Sequence, residues 1–150
     1  NVISYEIQAF LLNAIVSGFD KMGVNANSDT TFNTYSVSGA GSGSIAGAGV
    51  VETNVINNEV IAYALGDIKG NNTSTLTVKA KDTANFNGLA GSLAGGLTAG
   101  VGATVSINNV TSTILAYIGS GANQQINVGD IIVNATGVQN FNDLLSTRIL

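Results

Sequence analysis

The sequence predicts an all-β protein of the solenoid type, in which a repeat of about 54 residues stacks on the next. Three observations predict it. A ten-residue phrase occurs three times, as VNANSDTTFN from Val24 to Asn33, VKAKDTANFN from Val78 to Asn87 and VNATGVQNFN from Val133 to Asn142, with starts 54 and then 55 residues apart. A second phrase keeps that spacing: Asn1 to Phe10 aligns with Asn54 to Tyr63 and with Asn108 to Tyr117, ending each time in Ala followed by an aromatic ring. Between them, apolar residues alternate with small or polar ones at period two, the pattern of extended chain. The register makes residues 1–150 a single repeat array: a partial unit 1–33, complete units 34–87 and 88–142, and a tail 143–150. That tail has lost the glycine pattern and reads as an altered or frayed end.

In chain order, the stretch from Phe10 to Met22 is the one place where a helix competes, because Phe10, Leu11, Ala14, Ile15 and Phe19 fall at helical spacing. The register of its neighbours favours a turn and a strand there. Next come the glycine- and alanine-rich segments, Ser36 to Val51 and Ala90 to Val105. In the second copy Leu93, Leu97, Ala99, Val101, Ala103, Val105 and Ile107 occupy alternate positions. A helix would lose about 1 kcal/mol at each glycine, so strand is favoured. Glycines on the other face point to close backbone approach or sharp corners, hence to several short strands.

The segments Asn54 to Gly66 and Asn108 to Gly119 are rich in β-branched residues and end at glycines that read as turns. The leads into the third phrase, Thr73 to Val78 and Val128 to Val133, differ by one residue, so the turns around 69–73 and 120–125 tolerate an insertion. A single rung of 54 residues would be very wide. About three rungs of roughly 18 residues per repeat are therefore expected, advancing the rod by roughly 14 Å per repeat. Phe32, Phe86 and Phe141, Phe10, Tyr63 and Tyr117, and Asn33, Asn87 and Asn142 are the candidate ladder positions, since aromatic and Asn stacking holds register between equivalent rungs.

Composition narrows the function classes. There is no His, Cys, Pro or Trp, which removes the commonest neutral-pH base, thiolate metal sites and disulfides. The net charge of −4 offers no basic footprint for nucleic acid. Gly, Ser and Asn interrupt every apolar run before it reaches the ~18 residues of a membrane span. No signal peptide opens the sequence, and an excised piece of a longer exported chain is the expectation.

No catalytic, cofactor or metal constellation is expected. Glu52, Glu59 and Asp67 could be read as an acid/base or Ca²⁺ cluster, but Ser106 and Thr113 replace the two glutamates in the next copy, so they read as solvated surface. Gly39 to Ser44 has glycine spacing without the strand-to-helix context or the Lys of a phosphate loop. The nonapeptide of calcium-binding β-rolls is missing. Thr73, Thr75 and Thr77 read as a turn-to-strand entry rather than an ordered-water face. Glycosylation sequons occur at Asn71, Asn72, Asn109 and Asn134.

The run SLAGGLTAGVGATVSINN, followed by AYIG and by Gly129-Asp130-Ile131-Ile132-Val133-Asn134-Ala135, resembles repeats of leukotoxin-type filamentous adhesins, relatives of filamentous haemagglutinin. The resemblance spans nearly the whole chain. It implies a right-handed parallel β-helix in a large exported protein of diderm bacteria, secreted or held at the cell surface. The function expected is a structural stalk or passenger module supporting attachment, and not an enzyme. Its expected partners are the flanking repeats of the same chain, a glycan or protein at a host surface, and further copies stacked end to end. A polysaccharide-acting β-helix enzyme and a self-assembling extracellular fibre subunit are the competing readings.

Overall fold

The computed structural model describes residues 1–119, 121 and 124–149. Its strands are β1 (Val2–Ser17), β2 (Lys21–Ser42), β3 (Ile45–Lys69), β4 (Thr75–Gly96), β5 (Ala99–Gly119), β6 (Ile126–Asn127) and β7 (Asp130–Ile149). They form two parallel sheets, ordered β1-β3-β5 and β2-β4-β7, with β6 continuing the β5 lane beside β3. The chain alternates between the sheets, so each circuit adds one strand to each, a β-solenoid-like arrangement.

The register is the one spelled by the repeated phrases. Val24 pairs with Val78 and Val78 with Val133, while Phe10 pairs with Tyr63 and Tyr63 with Tyr117. Residues one repeat apart are therefore direct neighbours. This corrects the expectation of about three rungs per repeat: each 54-residue unit makes one wide rung and advances by one strand spacing, about 4.8 Å. The physical reason lies in the glycines. They do not break the chain into short strands, because β2, β3 and β4 run unbroken for 22, 25 and 22 residues.

Corners fall elsewhere. β2 turns into β3 at Gly43 and Ser44, and β4 into β5 at Leu97 and Thr98. Asn71 builds the β3–β4 corner, where its Oδ1 accepts from the Thr73 N–H at 2.8 Å and its carbonyl from the Ser74 N–H at 3.0 Å. Gly66, expected to end a strand, lies within β3 instead. It sits where β1 bulges at Asn13, whose φ is 52°, and a Cβ there would lie 2.5 Å from the Ala14 carbonyl oxygen. Only glycine admits that approach. Phe10 to Met22 is strand, turn and strand, with Gly18 at φ 70° in the turn, rather than helix. Of the second corner, 120–125, residues 120, 122 and 123 lie outside the described residues, as does residue 150. Residues 143–149 continue β7 and pair with Gly88 to Ala94.

Period two sorts every long strand into an inner and an outer face. One half of the inner space is apolar, filled by Val24, Val60, Ala62, Ala64, Ile68, Leu76 and Val78. The other half is lined by Ala46, Ala90, Ala94 and Ser92, small residues that let the sheets close on each other. The alternating Leu93, Leu97, Val101, Val105 and Ile107 point outward and are exposed, the reverse of the usual apolar-in arrangement.

Candidate functional site

Three columns of equivalent residues run along the stack. On the outer face of the first sheet, Phe10 and Tyr63 stack with ring centroids 5.3 Å apart, and Tyr63 and Tyr117 at 5.1 Å, their planes nearly parallel at 10° and 5°. Inside the second sheet Phe32 pairs in register with Phe86, and Phe86 meets Phe141 at 6.2 Å with a 36° tilt. On the outer face Asn33, Asn87 and Asn142 share one column, and Asn87 Nδ2 donates to Asn33 Oδ1 at 2.9 Å. A fourth column, Asn1, Asn54 and Asn108, was not singled out from the sequence although the second phrase aligns it. Each of its amides donates to the next, at 2.8 Å in both steps, and Asn108 Nδ2 reaches on to Asp143 Oδ2.

The central polar site is also one that repeat comparison hides. Asp82 lies on the inner face of β4, 1% exposed, where Ser28 precedes it and Gly137 follows it in the column. Its carboxylate collects donors from all three strands of the facing sheet: Tyr5 Oη at 3.3 Å, Asn58 Nδ2 at 3.2 Å and Ser112 Oγ at 2.7 Å. Tyr5 Oη also contacts Ser28 Oγ at 2.8 Å and Thr30 Oγ1 at 3.1 Å, and Gln139 Nε2 donates to Ser112 Oγ at 3.2 Å. Burial pushes the Asp82 carboxyl up, but hydrogen bonds from Ser112, Asn58, Ser28 and Tyr5 together outweigh it and hold it below its ordinary range. The signal that finds it is parity: Leu76, Val78 and Ala80 point inward, so Asp82 must as well.

The carboxylates singled out from the sequence do not converge. Glu52 and Glu59 lie on opposite faces of β3. The reading of Glu52 as solvated surface is corrected, because it is 4% exposed and faces inward, with Asn54 Nδ2 donating to its Oε1 at 2.8 Å. Burial raises its pKa, and the surrounding polar groups of Thr34, Asn54 and Ser36 bring it below the ordinary value. Glu59 points outward and pairs in register with Glu6 on one side and Thr113 on the other, over an open trough of about 500 Å³. Asp67 accepts from Lys69 Nζ at 2.8 Å, which holds its carboxyl below the usual value. Among the described residues no three His, Cys, Asp or Glu side chains come together, and no helix is long and apolar enough to cross a membrane.

What the arrangement does chemically is align strands. The Phe10-Tyr63-Tyr117 and Asn1-Asn54-Asn108 columns repeat one contact at both strand steps, the Phe86–Phe141 and Asn33–Asn87 pairs make theirs at one step, and Asp82 ties both sheets and all three rungs to one atom group. Comparison with protein families, with curated proteins and with solved structures finds no match for this chain.

Proposed function

We propose that the chain is a stalk module of a bacterial filamentous adhesin, exported to the cell surface or medium, whose stacked repeats hold a binding region away from the cell. One observation carries this reading: each repeat adds one strand to each sheet with the aromatic, Phe and Asn columns kept in register, so length grows with repeat number along a fixed axis. The likeness of the Gly-Ala, AYIG and Gly129 to Ala135 segments to leukotoxin-type repeats supplies the biological setting. In this reading the coil is right-handed, the sense that parallel crossovers favour. The flanking repeats of the same chain are its first partners. Attachment to a host glycan or protein uses exposed Asn, Ser and Thr side chains of the outer faces and the corner loops.

Antibody labelling of intact source cells and of their medium tests the proposal. Label at the surface or in the medium is expected. Label found only after the cells are opened would overturn it.

A further inference from the structure

The two broad outer faces of the rod carry opposite charge at the same level. Asn58 and Ser112 meet Asp82 across the interior, so the strand neighbours Glu59 and Lys81 point away on opposite sides. Glu59 lies in register with Glu6 on the first sheet, while Lys79 and Lys81 lie two residues apart on the second, with strands on both sides of them. Like charges side by side repel. Among the described residues the one ion pair is Lys69 with Asp67, so neither group has a countercharge there.

Further along the strands the same faces turn apolar. Ile45, Val51 and Val101 point outward from the first sheet, and Tyr35, Val37 and Leu93 from the second. No charged side chain of β2, β3, β4 or β5 points outward in that half. Leu93 has Gly39 and Arg148 beside it in register and is still 42% exposed. Face parity fixes these directions, so further repeats extend both faces without covering them. An uncharged apolar face of this kind marks an interaction surface.

We propose that copies of this chain stack side by side, the outer face of the β1-β3-β5 sheet of one on the outer face of the β2-β4-β7 sheet of the next. The match across the interior specifies this occupant. Counting outward positions from the Asn58–Asp82 contact, Glu59 shares a level with Lys81, Val51 with Leu89, Gly47 with Leu93 and Ile45 with Gly95. The level holds to the far corner, where a Gly96 Cβ would lie 3.0 Å from the Ala46 N. A copy shifted by one sheet spacing, about 10 Å, and not turned at all therefore sets its Lys79 and Lys81 over Glu59 and Glu6. The same shift lays Leu89 on Val51 and fits Leu93 over Gly47 and Gly95 over Ile45, a bulky side chain against a glycine in each case. Gly47 has room for it, since a Cβ there would find its nearest neighbour 4.0 Å away.

The two faces differ, so the contact is heterologous and each added copy leaves one face of each kind free. Assembly is open-ended and gives ribbons of laterally stacked rods rather than a closed dimer. The corner loops stay at the ribbon surface. This goes beyond the stalk reading and fails separately from it: a folded chain that stays monomeric leaves that reading standing.

Sedimentation of the chain across the micromolar range at low salt, with far-UV circular dichroism to verify folding, is the test. The wild type should give a mass that rises with concentration and falls as salt is added. Lys79→Glu with Lys81→Glu makes both faces acidic, and Glu6→Lys with Glu59→Lys makes both basic. Each double variant alone should associate about tenfold more weakly. An equal mixture of the two should recover association, because every contact between them joins an acidic face to a basic one. A wild type monomeric at every concentration would overturn the proposal, as would a mixture no stronger than its parts. So would double variants that assemble like the wild type, the result expected if strand edges carry the association. Should either double variant fail to fold, Val51→Lys decides. It puts a charge on the uncharged half and should stay monomeric where the wild type assembles; assembly at wild-type strength would overturn the proposal. A wild type that stays monomeric yet binds heparin through Lys79 and Lys81 would assign that face to an anionic polysaccharide instead.

Discussion

Phe32, Phe86 and Phe141 are equivalent in the repeat but not in the rod, and this inequality can be measured. Phe86 lies in the middle strand of its sheet and is 2% exposed, whereas Phe141 lies on β7 and is 53% exposed. Truncating Phe86 to Ala removes a fully buried ring and leaves a hole that two flanking strands cannot close, which costs about 3–5 kcal/mol. Truncating Phe141 removes a ring that is half in water already, beside an edge that needs no cavity, so about 1–1.5 kcal/mol is expected from the area lost. The difference, about 3 kcal/mol, corresponds to more than a hundredfold in the unfolding equilibrium. Urea titration followed by circular dichroism reads it directly, as a large midpoint shift for Phe86→Ala and a small one for Phe141→Ala at similar slope. Equal losses at the two positions would refute the placement of one repeat in one rung.

Three further outcomes follow from single sites. Asp82→Ala strands the donors of Tyr5, Asn58 and Ser112 and should cost about 3 kcal/mol, while Asp82→Asn, whose neighbours can reorient their hydroxyls and amide, should cost about 1 kcal/mol. Because the folded carboxyl titrates below its ordinary value of 3.8, its contribution is full above that value and is lost as pH falls through it towards the lower folded value. The wild type should therefore lose stability on acidification below about pH 5 more steeply than Asp82→Asn, in parallel denaturation series. Gly66→Ala should cost about 1–3 kcal/mol, because its Cβ would meet the Ala14 carbonyl, whereas Gly47→Ala, whose nearest neighbour is 4.0 Å away, should fall within about 0.5 kcal/mol of wild type by thermal melting. Tyr63→Ala removes two stacking contacts and should cost about 2 kcal/mol, with Tyr63→Leu recovering only part of it.

The strand register was legible because identical residues recur at a fixed offset, and pairing in parallel strands follows that offset residue by residue. Rung width was not, since period-two alternation looks the same in one strand of 22 residues as in three strands of seven. Turn chemistry misled at Gly66, where glycine serves a close approach inside a strand. It also misled in the Gly39 to Gly49 stretch, where Gly39, Gly41, Gly47 and Gly49 lie along strands rather than at corners. Asp82 and Glu52 escaped for the opposite reason. Ser106 stands opposite Glu52, so comparison between repeats set Glu52 aside as unrepeated, and with Ser28 and Gly137 in its column Asp82 was never singled out. Face parity within one strand carries the missing information, because Asp82 shares its side with Val78 and Phe86, and Glu52 with Asn54 and Ile56.

The central claim is that one 54-residue repeat advances the rod by one strand. Nitroxide labels at Asn25→Cys and Asn134→Cys, two repeats apart on the outer face of the second sheet, test it most directly, since Asn25 pairs with Lys79 and Lys79 with Asn134. One rung per repeat places their Cα atoms about 9.6 Å apart, so the continuous-wave spectrum should broaden strongly through dipolar coupling. Three rungs per repeat would separate them by about 29 Å, and an unbroadened spectrum with a pulsed-dipolar distance in that range would contradict the account.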